Sequence, residues 1–244
     1  MRNVIVTGGS RGLGLGIARR LNGAGYRVIS IARKQNSGLT AAMQEAEVAN
    51  PGSFHFVPFD LAEIENIQEL VKTLRKSFGA VYGLVNNAGM SFDGTLPLMA
   101  TSQIEQLLRV NTLSPIVLTK YVVRSMMADG GGRIVNLASI TAFTGYSGLS
   151  VYSATKASLI GFSRSLAREV GRMSVNVNAV APGFIDTDMT QGIKDEQRQQ
   201  IERRSALKRL ADIDDVANAV EFLLSDKAKN ITGTVLTVDA GSTA

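Results

Sequence analysis

Tyr152 and Lys156 are four positions apart in a strongly helical run, so their side chains leave one face of a helix. A tyrosine hydroxyl titrates near ~10, too high to exchange protons readily at neutral pH. A nearby ammonium stabilises the phenolate and lowers that value, and each unit of lowering corresponds to ~1.4 kcal/mol. Such a pair suits proton donation to a carbonyl, provided that a hydroxyl close by steadies the charge on its oxygen. Ser139, 13 positions upstream, ends the apolar run Arg133–Ala138 and can supply that hydroxyl. Taken alone, Tyr152 and Lys156 fit a solvated surface pair equally well, so the elements that hold them must decide.

Those elements alternate. Near-continuous Val, Ile and Leu runs occupy Val4–Thr7, Arg27–Ala32, Phe54–Phe59, Gly83–Asn86, Arg133–Ala138, Ser174–Val180 and Thr234–Val238, as expected of strands covered on both faces. Helical patterns fill Gly14–Gly23, Gly38–Asn50, Glu63–Phe78, Ser102–Ala128, Ser150–Gly171 and Asp212–Ser225. Asp212 followed by Asp215 marks a helix start. This order predicts an α/β fold, a doubly wound Rossmann-type three-layer αβα sandwich around a seven-stranded parallel sheet. No linker or repeat interrupts it, so residues 1–244 read as one catalytic domain. The polar stretch Gly183–Arg209 lacks strand signals and reads as a substrate lid. Ser139 then falls at the carboxyl edge of the sheet, where open α/β folds bind ligands.

The first strand runs into Gly8-Gly9-Ser10-Arg11-Gly12-Leu13-Gly14 and then a helix. Glycines here let backbone N–H groups approach a diphosphate at the helix N-terminus. The spacing Gly-x3-Gly-x-Gly departs from the G-x-G-x-x-G fingerprint, and any strand-to-helix turn can use glycine. The second strand ends Ala32-Arg33-Lys34 with no carboxylate for a ribose 2′-hydroxyl. A guanidinium pairs instead with a 2′-phosphate, which predicts NADP(H); a solvated strand end is the alternative.

Composition excludes other classes. Of 244 residues, 45% are hydrophobic and 19% charged, which predicts a sizeable core and argues against disorder. The net charge of +5 is dispersed over short basic groups without interleaved aromatics, so no nucleic-acid partner is expected. There is no cysteine, and no carboxylate–histidine cluster has ligand spacing, so no metal is expected. His55, the only histidine, stands in a strand run between Phe54 and Phe56 and reads as structural. The short N-terminal apolar run fits no signal peptide, and no stretch reaches membrane-span length, so a soluble cytoplasmic protein is expected.

Together these residues resemble the short-chain dehydrogenase/reductase family over essentially the whole chain. The matching elements are Thr7–Gly14, Asp60-Leu61, Asn86-Asn87-Ala88-Gly89, Asn111, Ser139, Tyr152-Ser153-Ala154-Thr155-Lys156, and Pro182-Gly183 with Thr187. The resemblance implies that Tyr152 donates the proton, Ser139 holds the carbonyl oxygen, and Lys156 binds the nicotinamide ribose while depressing the tyrosine pKa. It implies that Asn111 interrupts its helix and holds a water linking Lys156 to solvent. It further assigns Asp60 and Leu61 to the adenine, Asn87, Ala88 and Gly89 to its ribose, and Ile185 and Thr187 to the carboxamide. A polar Asn111 between Leu107-Leu108 and Leu113 would itself need a buried partner.

Within the family, Val175–Thr190 and Leu166–Val170 are similar to the 3-oxoacyl-acyl carrier protein reductases of bacterial fatty acid synthesis. That similarity implies an acyl thioester substrate, an acyl carrier protein as partner and a homotetramer. The segment Met126–Arg133, with an acid and three glycines, differs from the basic cluster common there. An acetoacetyl-coenzyme A reductase, a reductase of another ketone or sugar, or a non-catalytic NADP-binding regulator therefore stay open.

Overall fold

The computed structural model describes residues 1–185 and 195–244. Seven parallel strands, β1 (Asn3–Thr7), β2 (Arg27–Ala32), β3 (Phe54–Pro58), β4 (Val81–Asn86), β5 (Gly132–Leu137), β6 (Val175–Pro182) and β7 (Val235–Val238), lie in the order β3-β2-β1-β4-β5-β6-β7. The chain builds outward from β1 to β3, returns beside β1 with β4, and builds outward the other way. That reversal opens a crevice at the carboxyl ends of the central strands.

Alternate residues of each strand feed opposite cores. Val4, Val6 and Val28 pack with α1 (Gly12–Gly23), α2 (Ser37–Ala49) and α8 (Ile213–Leu224) through Ile17, Leu21, Leu39 and Val220. Ile5, Ile29 and Ile31 pack on the other face with α3 (Ile67–Phe78), α5 (Ser114–Ala128) and α6 (Ser150–Val170) through Leu74, Val122 and Leu166. This is the expected three-layer arrangement, and the period-2 pleat dictates it.

A buried polar chain crosses the second layer. Asn86 donates to Thr119 Oγ1 at 2.9 Å and to Asn136 Oδ1 at 2.8 Å, and Asn136 donates to Ser163 Oγ at 2.8 Å. It ties β4 and β5 to α5 and α6. Because unpaired polar atoms are expensive in a core, this chain fixes the seating of α6, which carries Tyr152 and Lys156.

One element reading needs correction, and one segment gains a helix. The expected continuous helix Ser102–Ala128 is broken into α4 (Thr101–Leu108), a wide π-type turn at Arg109–Leu113, and α5. Buried Asn111 in that turn bonds sideways to another loop, which competes with regular helical pairing. Within the expected lid, Asp195–Arg204 forms helix α7, whose polar sequence carries no apolar stripe to announce it. The remainder of that lid reading at 186–194, with Thr187, lies outside the described residues. No helix among the described residues is long and apolar enough to cross a membrane.

Candidate active site

Ser139 follows β5 in extended conformation and caps a short 3₁₀ turn, its Oγ accepting from Thr141 N at 3.2 Å. Tyr152 lies in the first turn of α6, partly buried, with its hydroxyl near that of Ser139. Burial pushes the phenol up to about 12, and the neighbouring Ser139 hydroxyl only partly opposes that. Lys156, one turn on and buried, donates from Nζ to Leu137 O at 2.8 Å and stands 5.7 Å from the centre of the Tyr152 ring. Loss of hydration brings its ammonium down to about 8. Sequence reasoning anticipated an ammonium lowering the phenol; in the protein by itself burial governs both groups, each pushed toward its neutral form.

Asn111 fastens this site to the loop after β4. Its Oδ1 accepts from Met90 N at 2.9 Å, while Nδ2 donates to Met90 O at 2.8 Å and to Thr155 Oγ1 at 3.2 Å. Thr155 Oγ1 in turn donates to Tyr152 O at 2.7 Å. A Cβ added to Gly89 would stand 3.5 Å from Lys156 Nζ and 3.4 Å from Asn111 Oδ1, so this loop, α6 and the wide turn converge there. Arg109, in the same turn, donates to Ala62 O at 2.7 Å and to Glu65 at 3.0 Å. It thereby ties the turn to the segment Asp60–Ala62.

The glycine turn forms a second region. Gly8 and Gly12 adopt left-handed backbone, φ +67° and +51°, which glycine tolerates best. A Cβ at Gly14 would collide with Gly8 O and Asn87 Nδ2. Arg11 occupies the cap position of α1 without a side-chain cap bond, leaving the N–H groups at the helix start free of side-chain acceptors. Ser10 and Leu13 flank these glycines in the chain, and Arg33 stands exposed just past β2. Asp60 Oδ1 accepts from Ala62 N at 2.9 Å, and Leu61 beside it is buried. Asn87 donates to Thr7 O at 2.9 Å, and Thr7 Oγ1 accepts from Asn87 N and Ala88 N, both at 3.0 Å.

Beyond β6, Pro182 is buried, Gly183 N donates to Val238 O at 2.9 Å, and Ile185 pairs with Ala211. Tyr146 and Phe184 meet edge to face at 5.3 Å, joining the loops after β5 and β6. His55 stands apart on β3, its Nε2 3.0 Å from Gly52 O and its ring against Phe78. Sequence reasoning named Thr7 and Thr155 as motif members without reading their bonds, and it missed Met90 and Arg109.

An uncapped helix start behind a glycine-rich turn, together with a Ser–Tyr–Lys cluster at the carboxyl edge of the same sheet, defines a nucleotide-dependent oxidoreductase. The family described as enoyl-(acyl carrier protein) reductase matches residues 8–243. The 3-oxoacyl-acyl-carrier-protein reductase of Escherichia coli K12 is 41% identical over 237 residues, covering 97% of this chain and 95% of that protein. The Homo sapiens protein of the same description is 40% identical over 237 residues, with 97% and 95% covered. Among solved structures, gluconate 5-dehydrogenase from Burkholderia cenocepacia J2315, in complex with NADP and tartrate, superposes with TM-score 0.94 at 26% identity, covering 99% of this chain and 95% of that one. A short-chain type dehydrogenase/reductase from Mycobacterium ulcerans gives TM-score 0.92 at 31% identity, covering 99% and 89%. The chain belongs to the short-chain dehydrogenase/reductase family and is an oxidoreductase using a nicotinamide cofactor.

Proposed function

We propose that the protein reduces the ketone of a 3-oxoacyl thioester to the 3-hydroxyacyl thioester with NADPH. The observation that carries this reading is the grouping of Ser139, at the carboxyl end of β5, with Tyr152 and buried Lys156 on one face of α6. Its relatives from E. coli and human, named for that reaction, support the substrate class.

The residues present fit the cofactor, because a Cβ at Gly14 would fill the turn and no side chain caps α1. Gly8, Ser10, Arg11, Gly12, Leu13 and Gly14 would hold the diphosphate, and Arg33 the 2′-phosphate. Asp60 and Leu61 would flank the adenine, Asn87, Ala88 and Gly89 its ribose, and Lys156 the nicotinamide ribose. Pro182, Gly183, Ile185 and Thr187 would face the nicotinamide end. When bound, NADPH supplies the hydride received by the ketone carbon.

The protein supplies the proton. Ser139 holds the ketone oxygen, and Tyr152 gives it the hydroxyl proton as negative charge develops there. The Lys156 ammonium stabilises the phenolate left behind and returns a proton to it. Asn111 holds the water through which Lys156 is recharged. Burial keeps the phenol protonated at neutral pH, so Tyr152 has a proton to give.

Residues 1–244 act as one catalytic domain, with 183–209 shaping the substrate side. Acyl carrier protein is the carrier suggested by the relatives' names. Exposed Leu108, Leu113 and Phe143 support assembly into a homotetramer. The test is Tyr152→Phe, assayed by NADPH oxidation with 3-oxoacyl thioesters. Turnover should fall by about 10²–10⁴-fold or more with NADPH affinity kept. Retained turnover would sink the mechanism.

A further inference from the structure

The end of α7 and the turn after it carry Arg203, Arg204, Lys208 and Arg209, all exposed. Arg209 is occupied by Asp215 at 3.3 Å. Arg203, Arg204 and Lys208 pair with no carboxylate among the described residues. Lys208 has left-handed backbone, φ +55°, a conformation lysine adopts at a cost of about 1 kcal/mol. Its Nζ donates to Arg203 O at 2.7 Å, which gathers the three cations at one helix end. Between them Leu207 is 61% exposed.

This cluster stands at the edge of the sheet that bears Ser139. Leu207 N donates to Ala240 O at 3.0 Å and Ala206 N to Gly241 O at 3.3 Å, just past the carboxyl end of β7. β7 pairs with β6, and β6 with β5, whose end leads to Ser139. Two strand spacings, about 10 Å, separate the ends of β5 and β7. A thioester with its ketone at Ser139 and its carrier arm directed toward β7 would bring that arm to this cluster.

We propose that Arg203, Arg204 and Lys208 bind the 3′-phosphate and diphosphate of a coenzyme A thioester. This rests on the thioester reading above and names the carrier. Guanidinium forks match phosphate oxygens, and the compact cation group matches clustered phosphates. Leu207 offers an apolar contact for the adenine ring.

The test compares the parent protein with Arg203→Glu/Arg204→Glu and with Lys208→Gly. Acetoacetyl-coenzyme A is run against acetoacetyl-N-acetylcysteamine, which has no phosphate, and against an acyl carrier protein thioester. In the double variant KM for the coenzyme A substrate should rise about tenfold with kcat kept, since each lost charge contact is worth up to about 1 kcal/mol and the reversed charges add repulsion. The N-acetylcysteamine substrate should be unaffected. Lys208→Gly should raise the same KM without lowering the melting temperature, because glycine relieves the backbone strain. An unchanged KM, an equal rise for both small thioesters, or a response confined to the carrier protein substrate each overturns the proposal.

Calorimetric titration of free coenzyme A into the protein with NADPH is read separately from turnover. Binding weakened by the double variant supports the site even if no thioester is reduced, an outcome that would instead sink the thioester reading. Absent or unaltered binding overturns the site.

Discussion

Lys156 shows how far a functional residue can stand against stability. Its pKa of about 8 in the folded protein lies below the ordinary 10.5. Between those values the unfolded chain holds a proton that the folded one has lost, so the penalty is full below pH 8 and fades as pH rises to 10.5. At neutral pH it amounts to roughly 3 kcal/mol. Lys156→Met should therefore stabilise the cofactor-free protein at pH 7, by about 1–2 kcal/mol after loss of the Leu137 bond, which is roughly 2–8 °C. The gain should vanish toward pH 10.5 in thermal melts, while turnover is lost. A lower melting temperature at pH 7 would show that the Leu137 bond and local packing outweigh desolvation.

At the scale of elements, the glycine turn and the α1–α8 contact separate two uses of glycine. Gly14→Ala would push a Cβ into Gly8 O and Asn87 Nδ2, displacing the N–H groups proposed to hold the diphosphate. NADPH affinity should fall at least about tenfold, as expected for a lost bond to a charged group. Gly16→Ala would instead strike Ile213 on α8 and should lower stability by about 1–3 kcal/mol, with the affinity of the remaining folded protein kept. Titration and melting of both variants check the split. Much of this was legible in the sequence: the strands were found within about two residues, because strands buried on both faces read as unbroken Val and Ile runs. Asp212 and Asp215 form the capping box at α8 that their spacing announced. Helix α7 was not legible, since Asp195–Arg204 has no apolar stripe. The break at Arg109–Leu113 was implied by the family resemblance at Asn111, whereas the helical pattern ran through it, because its partner Met90 is set by tertiary contact. The burial of Tyr152 was not legible either, because it depends on what the fold packs around the ring.

For the whole molecule, the two cores lie on opposite faces of one sheet, and every strand contributes to its continuity. We expect one cooperative thermal transition, seen alike by far- and near-UV circular dichroism; two separated transitions would divide the chain into independent units. The site depends on that continuity, because Ser139, α6 and the loop after β4 come from three places along the sheet. The wide turn at Arg109–Leu113 has a consequence for this arrangement. Each added residue advances the phase of a helix by about 100°. Removing one residue from the turn would let Thr101–Ala128 run as a regular rod, with better local hydrogen bonding. It would also swing Leu118, Val122 and Met126 about 100° away from the sheet they now cover. The turn thus works as a vernier, holding one residue's worth of rotation so that Asn111 and the core stripe can both face their partners.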